Sequence, residues 1–325
     1  MISENIPGDH TAAEGSFIMD LKRKNRQDVL VEKRVKLENG TEFPFLAFPL
    51  LAEQEWLAHC FTTRMGGVSE EIFAMLNLSF NRGDDPEAVR ENFRRVSEAL
   101  GTQYGDFVFS DQTHTANVRR VTRADAGNGL VREKSFFDTD GLITDEPGLV
   151  LSTFYADCVP LYFADPVHHA IGLSHSGWRG TVQQIGRVTV EAMGREFGSR
   201  PEDIICAIGP SICQDCYEVG ADVAMEFREF CGEAIPKENQ NFSKETIPKK
   251  DGNFSGNGIL EAKGNGKYQL DLWRANEIIL RKAGVLPEHI AVTNICTCCN
   301  STYLFSHRAS KGRRGNLGAF LAIKA

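Results

Sequence analysis

The chain has 325 residues, enough for one large domain or two small ones with ample core. Its 36 basic and 44 acidic side chains leave a net charge of −8, which provides no global field to hold a polyanion, so nucleic acid is excluded as a first expected partner. No window approaches the roughly 18 apolar residues of a membrane span, and MISENIPGDHTAAEGSF has neither the basic nor the apolar region of a signal peptide. A cytoplasmic protein is therefore expected. Its nine irregularly spaced cysteines, odd in number, should be mostly reduced and do not read as a disulfide framework.

Residues 1–35 are polar, charged and without a sustained period, and read as a loose leader before a single domain over 36–325. From Trp56 to Leu78 a strand, a glycine turn and a loop are expected. A helix should start at Asp85, with Pro86 at N1, Val89, Phe93, Val96 and Leu100 on one face, and Gly101 as its stop. Short apolar runs then read as strands: FVFS, NVRRV, DGLIT, LVLSTFYADC, PLYFADP and AIGLSHSG. TVQQIGRVTVEAMGREFG predicts one helix ending at Gly198, DIICAIGP a buried strand, and ADVAMEFREFCG a further helix. DLWRANEIILRKAGV is a third clear helix with Asp271 as N-cap, and IAVTNICTC and LGAFLAIKA close the chain as strands. Residues 237–267, rich in Lys, Gly, Asn and Ser, read as an exposed, mobile insertion. The pattern predicts an α+β protein, an α/β-type sandwich of mixed sheets flanked by helices.

GLSHSGWRG, residues 172–180, concentrates the candidate chemistry. A nucleophile elbow fails there, because Ser176 stands where G-x-S-x-G requires its second glycine. His114 precedes an apolar strand, Cys158 ends a long one and His175 ends the next. Two His and one Cys meeting at strand ends would hold zinc, or less readily copper, with a position left open for catalysis. Their spacings of 44 and 17 residues match no local zinc signature, and strand-end His and Cys are commonly structural. A metal-free Cys158–His175 nucleophile pair is a further alternative. Cys213 and Cys216 form a C-x-x-C, and Cys296, Cys298 and Cys299 crowd a strand end; together they suggest a structural zinc, but ICQDCYEVG lacks the tight turn of a zinc knuckle, so buried free thiols are the favoured reading. Arg64, Arg179, Arg308, Arg313 and Arg314 lie beside glycines and turns and could each anchor an anion or sit in a surface ion pair. Asp157 and Asp140 could orient a ligand histidine or serve as acid–base groups. Asp157 is counted with the catalytic candidates, whereas Asp140 reads as a turn or strand-end carboxylate.

Taken in order, FTTRMGGVS, LNL, QTHTANV, TDGLIT, ADCVPLYFADP, GLSHSGWRGTV, AIGPSICQDCYEVG, DLWRAN and CTCCNSTYLFSHRASKGRRGN resemble one family. It is called YfiH-like, laccase-domain or polyphenol oxidase-like, and peptidoglycan editing factor, and the resemblance runs from about Cys60 to Ile323. It implies one zinc on His114, Cys158 and His175, and substrate contacts from Arg64, Asn77, Gln112, Arg179 and Arg308. His307 departs from the pattern, where an aromatic residue is usual. A multicopper centre is not available, since the eight histidines include no His-x-His pair.

The resemblance implies a zinc-dependent purine nucleoside enzyme acting on a nucleoside and phosphate. The metal would activate water for adenosine deamination, and an arginine would anchor phosphate for phosphorolysis. One alternative is an amidase that removes a wrongly added amino acid from a nucleotide-sugar precursor of peptidoglycan. Another is a binding protein with a vestigial site. Nothing in the sequence decides the oligomeric state.

Overall fold

The computed structural model describes residues 19–227 and 258–325. The strands of the first half are β1 (Val31–Lys36), β2 (Glu42–Ala47), β3 (Leu57–Thr62), β4 (Phe107–Phe109), β5 (Val118–Arg120), β6 (Gly141–Thr144) and β7 (Val150–Tyr155). Those of the second half are β8 (Val159–Asp165), β9 (Ala170–Ser176), β10 (Ile205–Ile208), β11 (Glu218–Gly220), β12 (Leu260–Gly264), β13 (Lys267–Leu270), β14 (Ile290–Val292) and β15 (Leu317–Ile323). The helices are α1 (Pro49–Ala52), α2 (Pro86–Leu100), α3 (Trp178–Val182), α4 (Ile185–Phe197), α5 (Ala221–Glu226) and α6 (Leu272–Lys282).

Two six-stranded sheets, ordered β1-β2-β3-β15-β7-β4 and β14-β10-β8-β9-β6-β5, face each other across a common core. Most pairings are antiparallel, with β4–β7, β5–β6 and β10–β14 parallel. The central strands are apolar on both faces because each face is covered. Along β8, Tyr162 and Ala164 enter the inter-sheet core, while Val159, Leu161 and Phe163 face α4 and α6. Along β15, Leu317, Ala319, Leu321 and Ile323 point inward, and Phe320 and Ala322 point toward α2. Alternation with period two thus builds a helix–sheet–sheet–helix sandwich, the α+β architecture of mixed sheets that the sequence predicts.

The predicted helix starts hold. Asp85 accepts from Glu87 N at 3.0 Å, Asp271 accepts from Arg274 N at 2.9 Å, and Gly101 ends α2 at φ 66°. The helix predicted over 181–198 is instead split. Gln184 adopts φ 58°, a left-handed conformation that ends α3 and restarts the chain as α4. The expected strand over 290–298 is confined to Ile290–Val292, after which the chain turns.

Residues 1–18 of the leader, 228–232 of the helix predicted from ADVAMEFREFCG and 237–257 of the predicted insertion lie outside the described residues. The rest of the leader and of the insertion is built into the fold. Met19 and Leu30 are buried, β1 starts at Val31, and β12 and β13 pair as a hairpin beside β11.

Buried His59 accepts a hydrogen bond at Nε2 from Phe48 N, at 2.9 Å. Burial pushes its pKa down to about 4. A pKa depressed on folding leaves stability intact above pH ~6.5 and drains it as pH falls toward 4, because only the unfolded chain takes up the proton. The loss should approach roughly 3 kcal/mol. Melting curves from pH 7 to pH 4 should show a shallower fall in Tm for His59→Gln than for the parent; equal slopes would assign the acid sensitivity elsewhere.

Candidate metal centre

Three elements deliver the candidate ligands. Cys158 lies in the turn between β7 and β8, His175 near the end of β9, and His114 in the loop between β4 and β5. Because β8 pairs with β9, with Pro160 opposite His175, the Cys158 turn stands beside the strand carrying the histidine. One ligand atom each from His114, Cys158 and His175 lie within 4.8 Å of one another, and the two imidazoles meet edge to face at 5.0 Å.

Asp140, at the start of β6, sets this geometry, and the reading of it as merely a turn or strand-end carboxylate is corrected here. It is fully buried. Its Oδ2 accepts from Thr113 N at 3.0 Å, Thr115 N at 2.9 Å and Thr115 Oγ1 at 3.1 Å. These bonds grip both sides of His114, which adopts φ 68°. Its Oδ1 lies 2.7 Å from His175 Nδ1, so Nδ1 carries the proton and Nε2 is left as the metal-facing nitrogen. One carboxylate therefore orients two candidate ligands.

Gly177 completes the fit. A Cβ at this position would lie 3.0 Å from His114 Cδ2 and 3.2 Å from Cys158 Sγ, inside the space the ligands share. The donor set of two imidazoles and one thiol, compact and braced by a buried carboxylate, suits a zinc-type ion.

Electrostatics favours the ligand form of the cysteine. Burial opposes a charged Cys158, yet the His175 charge and hydrogen bonds from His114 and His175 outweigh it and hold the thiol at about 6. His175 is raised to about 9, against burial, by the Cys158 charge and the Asp140 hydrogen bond. Asp140 is held below the usual carboxylate range: burial works the other way, and the His175 hydrogen bond and charge prevail.

A cavity of about 540 Å³ opens over the three residues. Its lining includes the rings of Phe80, Phe109 and Phe154 and the basic residues Arg82, Lys134 and Arg314, with Lys134 paired to Asp111. Arg314 is buried, and its Nε has no hydrogen-bond partner among the described residues. Its Nη1 donates to Gly315 O at 3.3 Å and to Asn316 Oδ1. Burial and the Arg82 charge push its pKa down to about 10.

Of the other residues singled out in the sequence, Gln112 lines this cavity, but its amide is clamped to Phe154 through N and O at 2.7 Å each. Asn77 is fully buried and holds Asp84 and Asn316 N, each at 2.9 Å. Arg64 stacks on Phe305 beside a second, smaller cavity, and Arg179 lies over Trp178. The Arg308 guanidinium donates to Glu218 O at 3.0 Å and stacks on Tyr217. Asp157 spends both oxygens away from the imidazoles, accepting from Thr297 Oγ1 at 2.6 Å and Arg308 N at 2.7 Å. The sequence grouped Arg314 with other turn arginines and gave no sign of its burial. Its position one residue before a glycine was the only cue.

A sandwich of mixed sheets with a compact His–Cys–His group lining a polar cavity makes up a single domain. The chain belongs to the family described as multi-copper polyphenol oxidoreductase laccase, which it matches over residues 58–324. It is 36% identical over 265 residues to the purine nucleoside phosphorylase YlmD of Bacillus subtilis, covering 81% of this chain and 87% of the relative. It is 37% identical over 281 residues to a purine nucleoside phosphorylase of Deinococcus radiodurans, covering 86% and 93%. Its fold resembles the crystal structure of the hypothetical protein YfiH of Bacillus licheniformis, with a TM-score of 0.75 and 33% identity over 86% of this chain and 96% of that one. No helix among the described residues is long and apolar enough to cross a membrane.

Proposed function

We propose that the chain is a zinc-dependent purine nucleoside enzyme of the cytoplasm, cleaving nucleosides with phosphate and deaminating adenosine. The observation that carries this reading is the conjunction in one cavity of the braced His114–Cys158–His175 group with three phenylalanine rings and buried Arg314. The relatives named purine nucleoside phosphorylase support it.

A zinc ion held by His114, Cys158 and His175 would supply Lewis acidity to the reacting group and favour ionisation of water. The chain's own residues do the remainder. Phe80, Phe109 and Phe154 offer flat apolar surface to a purine ring. Arg314, with Arg82 near it, offers a fork of N–H donors to phosphate. In phosphorolysis a phosphate oxygen bonds to C1′ as the C1′–N9 bond breaks, and the departing purine takes up a proton. The products are free base and ribose 1-phosphate. In deamination a water oxygen adds at C6 and the amino group leaves as ammonia.

The two reactions separate the role of Arg314. Arg314→Ala should raise KM for phosphate about 10- to 100-fold, the worth of a charge-assisted hydrogen bond. Deamination, which uses no phosphate, should be spared. Equal damage to both rates would make Arg314 a structural residue.

The test of the reading is separation of products from adenosine incubated with and without phosphate, using protein of known metal content. Adenine formed only with phosphate, inosine formed without it, and loss of both on chelation are expected. Stoichiometric metal with no product would overturn the nucleoside reading and direct the same site to amide substrates.

A further inference from the structure

We infer that Cys213, Cys216, Cys296 and Cys299 form a second metal centre, a closed structural site for zinc. The sequence offers a structural zinc on the two cysteine groups but favours buried free thiols. The fold brings them together as two C-x-x-C pairs whose four Sγ atoms all lie within 4.8 Å of one another. Cys216 Sγ and Cys299 Sγ are 3.5 Å apart. Four thiolates around one zinc at about 2.3 Å would stand about 3.8 Å from each other, so the set is already close to the size of a single tetrahedron. An iron–sulfur cluster, with an inorganic core between its thiolates, needs a wider set.

One further feature fits a bound cation rather than loose thiols. Backbone N–H groups of Cys213 and Cys299 donate to Cys296 Sγ at 3.2 and 3.4 Å, stabilising that sulfur as a thiolate. Cys213 and Cys296 are buried and Cys216 and Cys299 half-buried, with the Cys298 thiol beside Cys216. The Lys24 ammonium, paired with Asp215 at 2.7 Å, stands beside Cys213 and Cys299.

The placement gives the metal a task. The turn carrying Cys213 follows β10, and the turn carrying Cys296 and Cys299 precedes β15. Both reach Asp157, through Ile212 N donating to Asp157 O at 3.0 Å and Thr297 Oγ1 donating to its carboxylate. Asp157 adjoins Cys158. The tetrathiolate centre thus pins the loops that set the position of Cys158, and does so whatever reaction the cavity performs.

The test counts metal in the full chain purified anaerobically under reducing conditions, beside His175→Ala, Cys216→Ser and Cys299→Ser. His175→Ala should keep one equivalent of zinc, and each cysteine variant should lose that equivalent. Should a cysteine variant fail to fold, cobalt substitution into His175→Ala decides. The expected spectrum has the intense thiolate-to-metal charge transfer and tetrahedral ligand-field bands of four sulfur ligands. A metal-free His175→Ala chain with all four thiols freely reactive would overturn the inference. So would a Cys216–Cys299 disulfide recovered from the reducing preparation.

Discussion

His175→Ala should lose the metal of the His114–Cys158–His175 group and at least about 10³-fold in turnover, while the sandwich stays folded. The magnitude follows from the several kcal/mol that a Lewis acid contributes to a developing charge. The fold should survive because β9 keeps its backbone ladder to both β6 and β8 and its apolar residues, Ile171 and Leu173, stay in the core. Some stability is lost even so. Asp140 Oδ1 loses its buried partner, a cost of about 1–3 kcal/mol. Metal analysis, circular dichroism and the product assay on one preparation check the three parts together. Full turnover by the variant would refute the assignment of His175.

Asp140→Asn is the subtler variant and should be damaging to a lesser degree. The asparagine oxygen can still accept from Thr113 N and Thr115 N, so the His114 loop keeps its brace. The amide nitrogen then faces His175 Nδ1 and donates to it, which moves the imidazole proton to Nε2. A protonated Nε2 cannot ligate a metal. Metal affinity should fall about 10- to 100-fold, with turnover following it, at little change in Tm. The proton-bearing nitrogen is readable by NMR of ring-labelled histidine. A variant with the Nε2 tautomer and undiminished metal affinity would separate Asp140 from the site.

The contrast between Asp140 and Asp157 shows where the sequence stops being legible. Both stand in motifs, DTDG and ADC, and both are acidic residues at a strand end. Adjacency to Cys158 favoured Asp157, yet the residue that touches His175 lies 35 positions away and reaches it only because β6 pairs with β9. Asp157 instead turns its oxygens to Thr297 and Arg308, partners 140 and 151 positions on. Nothing local in a chain encodes contacts of that range. Periodic features, by contrast, were readable throughout. The α2 stripe of Val89, Phe93 and Val96 is buried as its spacing requires, and the strands with period two divide their side chains between two cores. The split between α3 and α4 escaped because a single Gln in a left-handed conformation leaves no compositional mark. The four cysteines are legible only in part: the sequence suggests a shared zinc but favours free thiols, because each C-x-x-C is ordinary alone and the two stand 83 residues apart.

The breadth of the family's description does not carry over to copper number. Among the described residues only two groups of donors gather closely enough for a metal, one His–Cys–His and one all cysteine, and neither offers the histidines of a multinuclear copper cluster.

A reconstitution titration shows whether a metal on His114, Cys158 and His175 is required for nucleoside chemistry. The chain is stripped by chelator, zinc is returned stepwise, and adenosine turnover with phosphate is followed beside a Cys158→Ser control. The stripped chain should be inactive, activity should rise with zinc bound until this site is filled, and the control should never recover. Full turnover by the stripped, metal-free chain would contradict the requirement.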